Sequence, residues 1–316
     1  MAYNFDDMEI LGAHDQNELT EPELLSGEDL VEQLINTDPV EMLPVEENPA
    51  ETVRRRSSLA GQGVNKAGMK LNLDVTVVMD LTGSMENLIE AIKRDVVNFR
   101  DLLYDRLAAN LEKKRKDRVL HRMRLRVIGF RDYNFDWEAA VQPWHGPMVC
   151  SDFFDLDDEF DRQNLQEFVN KLEATGGEDE PESALEAIHY AINSPWDFDP
   201  DAVHRHVIMV FTDASAHPLT GNEAEDQKLN EANAHYPTDA DMPYDIQQLQ
   251  EEYQNPAKID TSAQRIIVFA PKAAYPWSQV GSWNGGSLND VVPAEGLTEV
   301  HLDTIVNALT GSIGGA

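Results

Sequence analysis

The sequence predicts an α/β fold with a mainly parallel sheet and helices on both faces. Three observations predict it. From Leu71 onward, short Val- and Ile-rich runs alternate with segments whose apolar residues recur at helical spacing. That alternation is the signature of strand–helix–strand units. Two of the apolar runs end in aspartate, Asp80 and Asp213. In open parallel sheets, the carboxyl ends of the strands are where ligands sit.

The elements follow in chain order. Residues 1–53 hold no Lys or Arg and many acids. They read as an acidic, largely disordered tail, because too little apolar surface is available to offset the entropy of ordering. One segment, "EDLVEQLINT" (28–37), gathers Leu30, Val31, Leu34 and Ile35 on one helical face. Pro39, Pro44 and Pro49 then break the chain. Residues 54–68 are a linker, so 1–68 is tail and linker and 69–316 the folded domain. In the linker, Arg54–Arg56 precede Ser57 and Ser58. That pattern suits a basophilic kinase, and a phosphate there would add negative charge to the arm.

"LNLDVTVVMD" (71–80) reads as a buried strand, and residues 85–112 as a helix with Leu88, Ile92, Val96, Phe99, Leu103 and Leu107 on one face. A strand at 122–133 follows. Helices are expected over 160–175 and 181–194, the second with Pro181 in its first turn. Strands at 204–214 and 262–271 come next. A helix over 301–311 closes the domain, with Gly311 beyond its end. Residues 218–260 and 272–296 read as insertions on this scaffold. His189 falls in a helical apolar stripe and is most simply a core histidine.

Composition bounds the function. The chain has 316 residues, 41% of them hydrophobic, enough for a sizeable core. Acids outnumber Lys and Arg 58 to 25, a formal charge of −33. A phosphate backbone would be repelled, which argues against nucleic acid, while cations and basic partners are favoured. No apolar run nears the length that spans a bilayer. The N-terminus lacks a basic and then apolar leader, and Cys150 is the only cysteine. The expected home is therefore reducing and cytoplasmic.

The densest chemistry is in "VVMDLTGSME" (77–86), where Asp80, Thr82 and Ser84 crowd a strand-to-helix turn. "TGGEDEPESALEAI" (175–188) adds Thr175, Glu178 and Asp179 just before a helix, and Asp213 ends another strand. Two chemistries compete. An all-oxygen set suits a small hard cation such as Mg²⁺, which takes six oxygens and keeps several waters. Alternatively, Asp80 is a nucleophile that forms an aspartyl phosphate. "DLTGS" resembles the phosphorylated turn of the P-type ATPases and haloacid dehalogenases, but the lysine such chemistry needs is represented only by Lys272. A helix N-cap would explain Asp80 alone. It would not explain the other oxygens.

The pattern Asp-x-Thr-Gly-Ser-Met after an apolar strand also resembles the metal-ion-dependent adhesion site (MIDAS) of von Willebrand factor type A (vWA) domains. "GFRDY" (129–133), "GGEDEPESALEAI" (176–188), "SPW" (194–196) and "VFTDASAH" (210–217) are similar, in order, to motifs of the intracellular and bacterial subgroup. The resemblance spans most of 71–310. It implies a doubly wound fold carrying Mg²⁺ or Mn²⁺ above the sheet. Asp80, Thr82 and Ser84 would be first-loop ligands, and Asp213 would hold the metal through water. The second-loop threonine of adhesive members has no direct match; Asp179 takes that place, with Thr175 as substitute. An extra carboxylate would weaken the pull of the metal on a partner's acidic side chain. Asp132 and His217 are expected beside the site rather than on the metal.

By the same resemblance, the function would be metal-dependent protein–protein interaction, as scaffold or regulator of a kinase, phosphatase or ATPase system, and not catalysis. A self-assembling protein with a stabilising metal is the bland alternative. One charge feature stands apart. The basic run 113–126 reads as a helix end followed by the solvated side of a strand or as a dock for the acidic tail of this chain or a neighbour, with nucleic-acid binding a weaker third option.

Overall fold

The computed structural model describes residues 70–113, 119–133, 144–177, 180–219, 241–293, 295, 297 and 300–314. The expectations for the tail, including the 28–37 segment, Ser57 and Ser58, lie outside these residues. So do Glu178, Asp179, 114–118 and about half of the insertion expected near 218–260.

Strand β1 (Lys70–Asp80) is central and almost wholly buried. A single 3₁₀ turn (Gly83–Met85) leads into helix α1 (Glu86–Lys113). Strand β2 (Val119–Phe130) returns parallel to β1. Two short strands, β3 (Met148–Cys150) and β4 (Phe154–Asp155), pair antiparallel with β2. Helix α2 (Glu159–Asn170) is capped by the Asp158 carboxylate, which accepts from the Asp161 N–H. Helix α3 (Ala184–Ile192), strand β5 (Val203–Phe211), helix α4 (Ile246–Tyr253) and strand β6 (Gln264–Ala270) follow. The chain ends with the short helix α5 (Trp277–Val280), strand β7 (Gly286–Asp290) and helix α6 (Leu302–Gly314).

The strand order is β3-β2-β1-β5-β6-β7, with every pair from β2 to β7 parallel. The period of two along β1 divides its side chains between two cores. Leu71, Leu73, Val75 and Met79 pack with Leu88, Ile89 and Phe99 of α1, Leu165 of α2 and Val306 of α6. Val78 faces the other way, with Ile128, Ile208 and Val268, onto α3, α4, Trp277 and Trp283. The fold is doubly wound, as expected. Sequence order runs outward in both directions from β1 and β5, so the crevice beyond their carboxyl ends is the topological switch point.

Four expectations are corrected. Helix α2 ends at Asn170 rather than near 175, because the Thr175 N–H is drawn to the Leu81 carbonyl at 2.9 Å. Helix α3 begins at Ala184, not around Pro181, because Glu182 is held in a parallel bridge to Ala216. Gly311 lies inside α6, not beyond it. The segment 272–296 is no mere insertion, since it contributes α5 and the edge strand β7.

The basic run also reads differently. Arg124 makes two bonds to the buried Asp74, at 2.8 and 2.6 Å, and its guanidinium lies 4.5 Å from the Phe153 ring centre. Arg122 meets Asp155 at 2.6 Å. Arg126 donates to the Ser151 carbonyl and to Ser194 Oγ. These three side chains are half-buried and engaged by their own domain, rather than lying on a solvated strand face.

Candidate functional site

Asp80 is the last residue of β1, and its side chain has no exposed surface. Its Oδ1 accepts from the Thr82 N–H at 2.8 Å and from the Thr82 hydroxyl at 2.6 Å. Its Oδ2 accepts from the Thr212 hydroxyl at 2.8 Å. Thr212 immediately follows β5, so this bond ties the ends of the two central strands together. On the rim, the Ser84 hydroxyl donates to Asp213 Oδ1 at 2.9 Å. Asp80, Thr82, Ser84 and Asp213, four of the five expected ligands, are thus gathered at the switch point. Asp179 is outside the described residues.

Burial raises the Asp80 pKa to about 6. The hydrogen bonds from Thr82 and Thr212 oppose that rise, and the nearby Asp213 charge adds to it. A carboxylate this costly to ionise is held by its donors, and a cation alongside would favour the charged form.

Thr175, the substitute ligand, is brought to the same place through its backbone. Its N–H donates to the Leu81 carbonyl, and the Gly83 N–H donates to the Gly176 carbonyl at 3.3 Å. Gly177 shows why glycine occurs here. Its φ is +75°, and a Cβ would stand 2.6 Å from the Thr82 Cβ. The second loop therefore presses its bare backbone against Thr82.

Asp132, just after β2, and His217, in the loop after β5, face each other. Asp132 is buried, accepts from Ser183 Oγ at 3.4 Å and lies 3.3 Å from His217 Nε2. The Trp277 indole donates to the Ala214 carbonyl at 2.8 Å, and the Ala216 N–H to the Tyr275 carbonyl, so the loop after β5 is clamped from the far side. His189 is buried, with Nδ1 2.7 Å from Glu252.

Sequence reasoning missed three contributors. Thr212 was visible in "VFTDASAH" but assigned nothing. The Gly176–Gly177 pair signalled a tight approach, without showing to what. Arg131, in "GFRDY", gave no local signal, because the carbonyls its guanidinium binds lie 13 to 44 residues away.

Mg²⁺ would impose a definite spacing on these oxygens. At metal–oxygen distances of about 2.0–2.1 Å, neighbouring oxygens of an octahedron lie about 2.9 Å apart. The Thr82–Asp80 and Ser84–Asp213 pairs stand at 2.6 and 2.9 Å. Both hydroxyl protons point at carboxylates, which leaves the hydroxyl lone pairs available to a cation. The donors fit a hard cation. Among the described residues, no three His, Cys, Asp or Glu side chains cluster as a metal site, so hydroxyls would have to supply part of the ligand set.

Lys272, which the phosphotransfer reading requires, is exposed beyond β6, and its N–H is bound to Asp290 of β7. It stands two strands away from Asp80. The described cavity, about 300 Å³ between α1, α6 and the sheet, includes none of the four oxygen residues in its lining.

The profile of the von Willebrand factor A domain matches residues 143–233. That stretch is similar to a vWA domain. That domain class supports a role in protein interaction or adhesion. Among solved structures, two crystal structures of the pilus adhesin SpaC from Lactobacillus rhamnosus GG, one in an open conformation, are 13% identical to this chain, with TM-scores of 0.42 and 0.43. Each covers 77% of this chain, which spans 30% of the adhesin's length. The proximal thread matrix protein 1 of the mussel byssus is 10% identical with a TM-score of 0.37, over 75% of this chain and 46% of the mussel protein. No curated protein sequence matches.

Proposed function

We propose that this vWA-like domain binds one divalent cation, Mg²⁺ or Mn²⁺, at a MIDAS-type site and uses it to engage a protein partner without catalysing a reaction. The observation that carries the reading is the pair of hydroxyls, Thr82 and Ser84, each donating its proton to a carboxylate at the switch point. Thr82 and Ser84 would offer lone pairs to the cation, and Asp80 and Asp213 would balance its charge. Asp179 or Thr175 would complete the second-loop side. The cation supplies an electrophilic position that an acidic side chain of a partner can occupy. Asp80 is fully buried with both oxygens engaged, which suits a charge-balancing carboxylate better than a nucleophile. A cytoplasmic scaffold or regulator of a kinase, phosphatase or ATPase system is the wider role the family resemblance points to.

The test is Mn²⁺ binding followed by electron paramagnetic resonance. The wild type is expected to take up one ion, Ser84→Ala to bind at least tenfold more weakly, and Asp80→Ala to bind none. Wild-type protein that binds no specific ion overturns the reading. Gel filtration with and without chelator separates partner capture from metal-dependent self-assembly.

A further inference from the structure

We infer that Arg131 is the positioning residue of this site: it sets the second loop against Thr82 and so decides whether the oxygens meet a cation. The inference rests on the metal-binding reading above.

Arg131 follows β2 directly and has no exposed surface. Its Nε donates to the Thr175 carbonyl at 2.9 Å. One terminal nitrogen donates to the Glu173 carbonyl at 2.6 Å, and the other to the Gly146 carbonyl at 2.9 Å, with Trp144 at 3.4 Å. A buried cation is thus solvated by carbonyl oxygens from two loops. The planar fork of guanidinium donors suits this task, and the point charge of a lysine does not.

The consequence passes straight to the site. Residues 173–175 are fixed by Arg131. The next two, Gly176 and Gly177, receive the Gly83 N–H and lie against Thr82. The chain of contacts from guanidinium to ligand hydroxyl is therefore Arg131, Thr175, Gly177, Thr82. Asp132, the neighbouring residue, reaches the loop after β5 through His217. One dipeptide at the end of β2 thereby fastens both loops that flank the first. Each guanidinium nitrogen of Arg131 donates to a loop carbonyl, so the residue acts through the loop.

The experiment uses the full chain with Arg131→Lys, Arg131→Gln, Gly177→Ala and the double variant Arg131→Lys/Gly177→Ala. Mn²⁺ affinity is read by electron paramagnetic resonance and loop order by amide hydrogen exchange. Arg131→Lys is expected to speed exchange at Gly83 and Thr175 while the β5 and β6 amides stay protected, and to weaken Mn²⁺ at least tenfold. Gly177→Ala moves the same loop and should weaken Mn²⁺ similarly. The double variant should lose less than the product of the two, because both act through one segment.

Additive losses, or an Arg131→Lys protein that binds Mn²⁺ like wild type, overturn the inference. Loss of the whole fold in both Arg131 variants, with no selective exchange at the loop, assigns the residue to global stability and overturns it too. A wild type that binds no Mn²⁺ sinks the metal reading instead. Exchange at Gly83 and Thr175 then still shows whether Arg131 holds the loop.

Discussion

Thr212→Val isolates the bond that joins the two central strand ends. The substitution keeps the side-chain shape and removes one hydroxyl. Two buried interactions go with it: the 2.8 Å bond to Asp80 Oδ2 and the 3.1 Å bond that the Ala214 N–H donates to Thr212. A hydrogen bond to a charged group contributes about 1.5–3 kcal/mol, and a buried N–H left without its acceptor costs about 1–3 kcal/mol. The added methyl returns about 0.8 kcal/mol through apolar burial. The net loss is about 2–5 kcal/mol, or about 4–20 °C in Tm for a domain of this size. The loss should extend to function, because Asp80 would then be held only by Thr82. Calorimetry and Mn²⁺ titration check both. A variant that melts within about 1 °C of wild type and binds Mn²⁺ equally would show that this bond does not hold the site, and the reasoning fails.

Three further outcomes are expected. Asp74→Ala strips a half-buried Arg124 of its two-bonded partner and frees the Asp197 N–H; chemical denaturation should show a loss of about 3–5 kcal/mol, while Arg124→Met/Asp74→Leu together should recover much of it. Burial lowers the His206 pKa to about 4 from its usual 6.5, against the opposing pull of Asp74 and Asp260. The unfolded chain therefore takes up the proton first, so this contribution is intact above pH 6.5 and declines as pH falls towards 4, by about 3 kcal/mol at most. His206→Gln should flatten that part of a stability–pH curve, and an unchanged slope would discount the histidine. Saturating Mg²⁺ at about 100 times its dissociation constant should add about 2.7 kcal/mol of stability, seen as a rise in Tm that EDTA reverses, Ser84→Ala diminishes and Asp80→Ala abolishes.

The oxygens of the first loop were legible because they lie within five residues. A strand ending in Asp80 and a helix opening after Met85 leave Thr82 and Ser84 no other place. Asp213 was legible for the same reason, as a polar residue just beyond an apolar run. The edge strand β7 was not legible. Its sequence, "GSLND", lies half in solvent and needs only one neighbour, so it carries little apolar signal. Helix ends were misread where tertiary bonds outbid local propensity: the Thr175 N–H goes to β1, and Glu182 goes to Ala216.

The sequence by itself determined the α/β class, the central strands, the two strand-end aspartates and the all-oxygen character of the turn. These follow from periodicity and from neighbours only a few residues apart. Only the tertiary structure decided what Arg131, Thr212 and Gly177 do, and that the arginines of β2 serve their own domain. Their partners lie 44, 132 and 95 residues away for Arg131–Thr175, Thr212–Asp80 and Gly177–Thr82. Hydrogen bonds and close packing act over a few ångströms of space, whatever the distance along the chain, so no local pattern encodes them.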